Sequence, residues 1–168
     1  MHIIQLILPL VTESVMDRMM EEKKQDKVYD LAKNHFLGDF PTTLPIEKAY
    51  LHIGSYMGWV IDNELYSEYF EDEASTEIYR FSRKEIGCII LAEIWNGALS
   101  HELFNDEANL FTFYYYEGGL FNKDYIDVLV KSHKTIYHVE DSWDNFKLIS
   151  LRIAERFEEW KNQQALIK

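Results

Sequence analysis

Cysteine is all but missing from this chain. Cys88 is the single one in 168 residues, which excludes an internal disulfide framework and any metal site built from several thiolates. Positive charge is scarce as well: seventeen Lys and Arg stand against twenty-nine Asp and Glu, a formal charge of −12. A surface that acidic repels phosphate backbones and anionic lipid, so neither nucleic acid nor a membrane surface is an expected partner. No apolar run approaches the ~20 residues that span a bilayer. The opening segment, residues 1–11, is apolar but short, has no Lys or Arg before Arg18, and is followed at once by Glu13 and Asp17. It does not read as an export signal, and a cytoplasmic protein is expected. Internal repeats, linker-like tracts, a Gly-rich phosphate loop, paired helical histidines around a Glu, a Ca²⁺ loop and a nucleophile elbow are all missing. No cofactor and no metal centre is expected, and the large common enzyme classes lose weight.

What is present is enough for a real core. The chain is 47% hydrophobic and 15% aromatic, at a length typical of one compact domain. The patterning predicts an all-α fold of about six helices, with one short N-terminal strand or extended arm over residues 3–8. Residues 1–23 read as an extension carrying a helix after Thr12, and residues 24–168 as a single helical domain. Pro41 and Pro45 with Gly38 mark residues 36–45 as a loop. A helix follows over 46–63, where Gly54 and Gly58 fall one turn apart and leave room for a second helix to approach. Ser82 and Glu85 read as a capping box opening a helix that Asn96-Gly97 ends. Asn105 reads as the cap of a helix stopping at Gly118-Gly119, and Asn122 as the cap of a shorter one. Residues 136–139 are β-branched and aromatic and are expected to be extended. The last helix starts at Asp141 or Ser142, with Phe146, Ile149, Ile153, Phe157 and Trp160 as its apolar stripe.

The residues that could carry chemistry are few. Cys88 sits in an apolar helix and reads as a small core residue. The six histidines are scattered, and none pairs with another at ligand spacing along the chain. His52 is the most interesting, sharing a helix face with Tyr56 and Trp59. It suits an acid–base or ligand role in a cleft against the loop carrying Asp39. Asp106 and Glu107 could add carboxylates there, although a first helical turn after Asn105 is also where carboxylates meet the helix dipole. From Asp62 to Tyr79 there are seven acidic residues and no basic one. Aromatics interleave with them, as a binder of a basic protein surface requires: rings for desolvated anchors, charges for steering.

Three segments carry a resemblance. The first is Gly38-Asp-Phe-Pro41 with Leu44-Pro45, His52-Ile-Gly54, Trp59 and Ser67-Glu68. The second is Asn105-Asp-Glu-Ala-Asn109 with Phe111, Tyr114-Tyr115 and Asp124-Tyr125. The third is Tyr137-His-Val139 with Asp141, Trp143, Asn145, Phe146, Arg156, Phe157 and Trp160. In this order they resemble a family of small acidic bacterial proteins catalogued as a domain of unknown function, over about residues 27–160. The resemblance implies small stand-alone proteins, a profile shared with immunity proteins of toxin systems, and it brings no catalytic residues. The chain departs from the family in its first 23 residues and at Asn34, where a tryptophan often precedes the histidine matched by His35.

Two functions follow. The first is a non-enzymatic, immunity- or antitoxin-like module that binds a basic protein through Glu64, Glu68, Tyr69, Glu71, Asp72 and Glu73. The second is an enzyme or small-ligand protein with a pocket made by Asp39, His52, Trp59, Asp106 and Glu107. Nothing in the sequence sets the oligomeric state.

Overall fold

The computed structural model describes residues 27–132 and 134–167. The expected N-terminal arm and the helix after Thr12 lie outside the described residues. The rest is mainly helical, as the patterning predicts, with one small sheet. Strand β1 (Val28–Leu31) runs into helix α1 (Ala32–Phe36); a 3₁₀ segment (Ile46–Tyr50) opens α2 (Leu51–Asp62). Then come α3 (Glu68–Ser82), α4 (Cys88–Ile94), β2 (Ala98–Ser100) and α5 (Asp106–Thr112). A π-helical turn (Phe113–Glu117) leads to α6 (Leu120–Leu129), a 3₁₀ turn (Ile136–His138) and the long α7 (Trp143–Leu166).

Helix α2 is the hub, and every residue from Leu51 to Ile61 on it is buried. Its two glycines are there for close approach. A Cβ at Gly54 would lie 1.8 Å from the Cys88 carbonyl oxygen, so the backbones of α2 and α4 nearly touch. At Gly58 the same atom would meet the Phe81 and Phe146 rings at 2.5 and 2.8 Å. Around α2 stands an aromatic cluster: Trp59 packs against Phe111 and Phe157, and Tyr56 against Phe121. Such pairs add about 0.5–1.5 kcal/mol each beyond burial of their area. Helix α7 lays Phe146, Ile149, Ile153, Phe157 and Trp160 on this core, the stripe its periodicity predicts. Asp124 on α6 ties the two helices further, accepting from Arg156 Nε at 2.8 Å, Arg152 at 3.1 Å and the Tyr115 hydroxyl at 3.0 Å.

Two caps stand where expected. Asn105 Oδ1 accepts from Ala108 N at 2.9 Å, and Ser142 Oγ from Asn145 N at 3.2 Å. Three local expectations are corrected. Ser82 does not open a helix; it ends α3, with its hydroxyl donating back to the Ile78 carbonyl. Helix α4 begins at Cys88 instead, and its cap comes from far along the chain. Asp141 accepts from Cys88 N at 3.2 Å and from Ile89 N at 3.0 Å. Helix α6 starts at Leu120, ahead of Asn122, because Gly119 takes the left-handed conformation (φ 86°) that reverses the chain. Residues 136–138 form a 3₁₀ turn rather than extended chain, held by the Thr135 hydroxyl accepting from Tyr137 N.

The two strands pair antiparallel, Val28 with Ser100 and Leu31 with Ala98, with a register shift between Val28 and Asp30. A bulge of this kind inserts one residue and re-aims the side chains beside it. Here Tyr29 reaches Asn109 Oδ1 at 2.8 Å, while Asp30 faces His35 and His52.

Candidate functional site

Asp30, on β1, lies at the centre of a polar cluster drawn from five parts of the fold. Its Oδ1 is 2.7 Å from His35 Nε2, on α1, and accepts from Leu31 N at 2.8 Å. Its Oδ2 accepts from the Tyr116 hydroxyl at 2.5 Å and lies 3.2 Å from His52 Nε2, on α2. The two imidazole Nε2 atoms are themselves 3.2 Å apart. His35 Nδ1 meets the Tyr137 hydroxyl at 2.8 Å. His52 Nδ1 is buried with no partner among the described residues, so Nε2 is that ring's polar outlet. Tyr116 comes from the π-helical turn, a local widening that recurs at functional positions.

The electrostatics follow from this packing. Burial alone would push the Asp30 carboxyl up, but the contacts from His35, His52 and Tyr116 outweigh it and hold the group ionised, well below the usual carboxylate range. Burial pushes His52 down and favours its neutral imidazole, against the opposing pull of Asp30. The cluster is not sealed: the His35 side chain is 24% exposed, Asp30 15% and His52 6%.

The histidines therefore do pair, through the fold rather than along the chain, and His52 has different neighbours from those expected. Asp106 and Glu107 are exposed in the first turn of α5, the place where carboxylates meet the helix dipole. Neither shares a hydrogen bond or ion pair with His52 among the described residues. Asp39 is exposed on its loop, and its charge helps to raise the Tyr137 phenol after burial and Asp30 have done so. Trp59 belongs to the aromatic core and lines a separate groove of about 490 Å³ with Asp62, Lys84, Trp143 and Lys147. Asp30, His35, Tyr116 and Tyr137 complete the cluster in place of those residues. Cys88 is buried, and burial first, then the Asp141 charge, pushes its thiol far above the reactive range.

The six residues of the acidic stretch have a different setting. Glu64, Glu68, Tyr69, Glu71, Asp72 and Glu73 are all exposed, on or just before α3. Tyr69 leans its ring edge on Trp95, at 6.1 Å between centroids, and Tyr79 stands exposed further along the helix.

No helix among the described residues is long and apolar enough to cross a membrane. The fold thus defines a mainly helical single domain with a polar cluster at one end of its two-stranded sheet. The chain belongs to the family described as a domain of unknown function, DUF7832, whose pattern spans residues 28–139. That span contains the whole polar cluster and all of α3, and stops short of α7. No curated protein and no solved structure matches the chain.

Proposed function

We propose that the chain is a non-enzymatic protein-binding module of the cytoplasm, immunity- or antitoxin-like, that docks a basic partner on the acidic face of α3. One observation carries the reading. Among the described residues, no ion pair involves Glu64, Glu68, Glu71, Asp72 or Glu73, although all are exposed. Some surface carboxylates elsewhere find cations: Glu117 pairs with Lys27, Glu85 with Arg83, Glu159 with Arg156 and Glu158 with Lys161. Others, Glu93, Asp106, Glu107 and Asp144 among them, are exposed in no ion pair among the described residues, but only the α3 stretch gathers five such groups within ten residues, at 64–73. The face therefore keeps its negative field whole, within a chain of net charge −12. Such a field speeds encounter with a cationic surface, and Tyr69 supplies an aromatic anchor beside it.

The test is capture from a lysate of the native cells at low salt, followed by association kinetics with the purified partner. The triple variant Glu71→Lys, Asp72→Lys, Glu73→Lys should slow association at least about tenfold at low salt, and the difference should shrink as salt rises. Capture of no basic protein, or an association rate the variant leaves unchanged, overturns the reading.

A further inference from the structure

The Asp30, His35 and His52 cluster stands apart from the acidic face, and its contacts close as hydrogen bonds only if both Nε2 atoms are protonated and held 3.2 Å apart. An imidazole nitrogen carries either one proton or one lone pair, so each Nε2 can make one directed bond. Two such nitrogens here are engaged in three close approaches: 2.7 Å to Asp30 Oδ1, 3.2 Å to Asp30 Oδ2 and 3.2 Å to each other. If both are protonated and donate to Asp30, two N–H groups are forced side by side. If either is bare, its lone pair faces a carboxylate oxygen held ionised. A cation between the three groups removes both conflicts, because every lone pair then points at positive charge.

The geometry points to a binding site for one divalent first-row transition-metal ion, held by Asp30, His35 and His52. The three ligand atoms all lie within 4.8 Å of one another. Ligands at the usual ~2.0–2.1 Å in a tetrahedral shell are themselves about 3.3 Å apart, close to the two 3.2 Å separations found. Two imidazoles and one carboxylate form a borderline N/O set that suits zinc, iron(II), cobalt(II) or nickel(II) better than calcium or magnesium.

The outer contacts fit the same role. Leu31 N–H and the Tyr116 hydroxyl each occupy one lone pair of the Asp30 oxygens and leave the others facing the histidines. The Tyr137 hydroxyl at His35 Nδ1 fixes that ring's orientation. Metal ligands are held in this way by a second layer of hydrogen bonds. Partial exposure at His35 gives an ion a way in, and three protein ligands leave a fourth position for water or a small ligand. The sheet bulge at Tyr29 and the π-helical turn at Tyr116 are the two backbone irregularities that aim side chains here.

The experiment is titration of the metal-stripped full chain with zinc(II) by calorimetry and with cobalt(II) by visible absorption, on wild type and four variants. Wild type should bind one ion per chain, with cobalt d–d bands of a low-coordinate nitrogen and oxygen site. His35→Ala and Asp30→Asn should each weaken binding at least about 100-fold, and Tyr137→Phe about 10–100-fold. His52→Ala tests the third ligand; since His52 is deeply buried, circular dichroism must first show that variant folded, and partly exposed His35 decides the matter if it is not. A wild-type chain that takes up neither ion overturns the site and leaves a strained hydrogen-bonded clamp. Binding that survives His35→Ala and Asp30→Asn at wild-type affinity overturns it too, since the ion then sits elsewhere.

Discussion

Asp141→Ala should loosen the packing of α4 although Asp141 lies more than fifty residues along the chain from the start of that helix. Its carboxylate accepts from Cys88 N and Ile89 N, two N–H groups that a helix N-terminus leaves without internal partners. Loss of such a cap costs about 0.5–2 kcal/mol, and the charge at the helix N-terminus adds about 0.3–1 kcal/mol. The bond at Cys88 N is partly buried and the one at Ile89 N exposed, so water replaces only part of what is lost, and the total should fall near 2 kcal/mol. Asp141→Asn keeps one acceptor and loses the charge, and should cost about half as much. Urea unfolding followed by circular dichroism should show lower midpoints in the order wild type, Asn, Ala, with unchanged slopes. In a chain of this size the alanine variant should melt about 4–8 °C lower. Ser82→Ala and Glu85→Ala are the controls: both side chains are exposed, and both changes should stay within about 0.5 kcal/mol. An alanine at 141 that costs no more than these controls refutes the cap, as does an asparagine as damaging as the alanine.

Gly54→Ala sets two effects against each other: a gain of about 1 kcal/mol in helix propensity and a Cβ placed 1.8 Å from the Cys88 carbonyl oxygen. Because that neighbour is backbone, the clash should win, with a net loss of about 2 kcal/mol in unfolding free energy, read as a lower denaturant midpoint; a stabilised variant would refute the close contact of α2 and α4. Asp124→Asn removes the carboxylate that holds Arg152, Arg156 and the Tyr115 hydroxyl, and should cost about 2 kcal/mol at neutral pH. Burial would raise the Asp124 carboxyl, but the bonds from Arg156, Tyr115 and Arg152 lower it on balance. Its contribution is therefore complete above the unfolded value, near pH 4, and is lost as pH falls through the lower folded value. The stability gap between wild type and Asp124→Asn should close below about pH 4; a gap that stays constant to pH 2 would contradict the assignment.

How much of this fold is legible in the sequence depends on how far apart the deciding residues stand. The α7 stripe, the Asn105 cap and the Gly54–Gly58 contact face are set by neighbours within one or two turns, so periodicity finds them. The start of α4 is not local. Ser82 and Glu85 offer a plausible capping pair, but Asp141 provides the acceptors, and no window of a dozen residues contains both Asp141 and Cys88. The turn at 136–138 fails for a related reason: β-branched and aromatic residues favour strands only where a partner strand exists, and here the Thr135 hydroxyl closes a tight turn first. The short sheet escapes notice because strands of four and three residues carry too little alternation.

The cluster at Asp30 shows the same limit. His52 is conspicuous as a histidine on an otherwise apolar helix, but Asp30 and His35 become its neighbours only once β1 is paired with β2 and α1 packs on the 3₁₀ segment that opens α2. Stability alone is a poor reason to build such a group. A carboxylate and two imidazoles, largely withdrawn from water, carry a desolvation cost, and well-packed apolar side chains in place of buried ion pairs are often neutral or stabilising by about 1–4 kcal/mol. Here that cost comes with a bulged strand, a π-helical turn and a ring nitrogen, His52 Nδ1, left without a partner among the described residues. Two nitrogens of the same kind stand 3.2 Å apart before one carboxylate, a crowding that the proposed cation would relieve and a further proton would not.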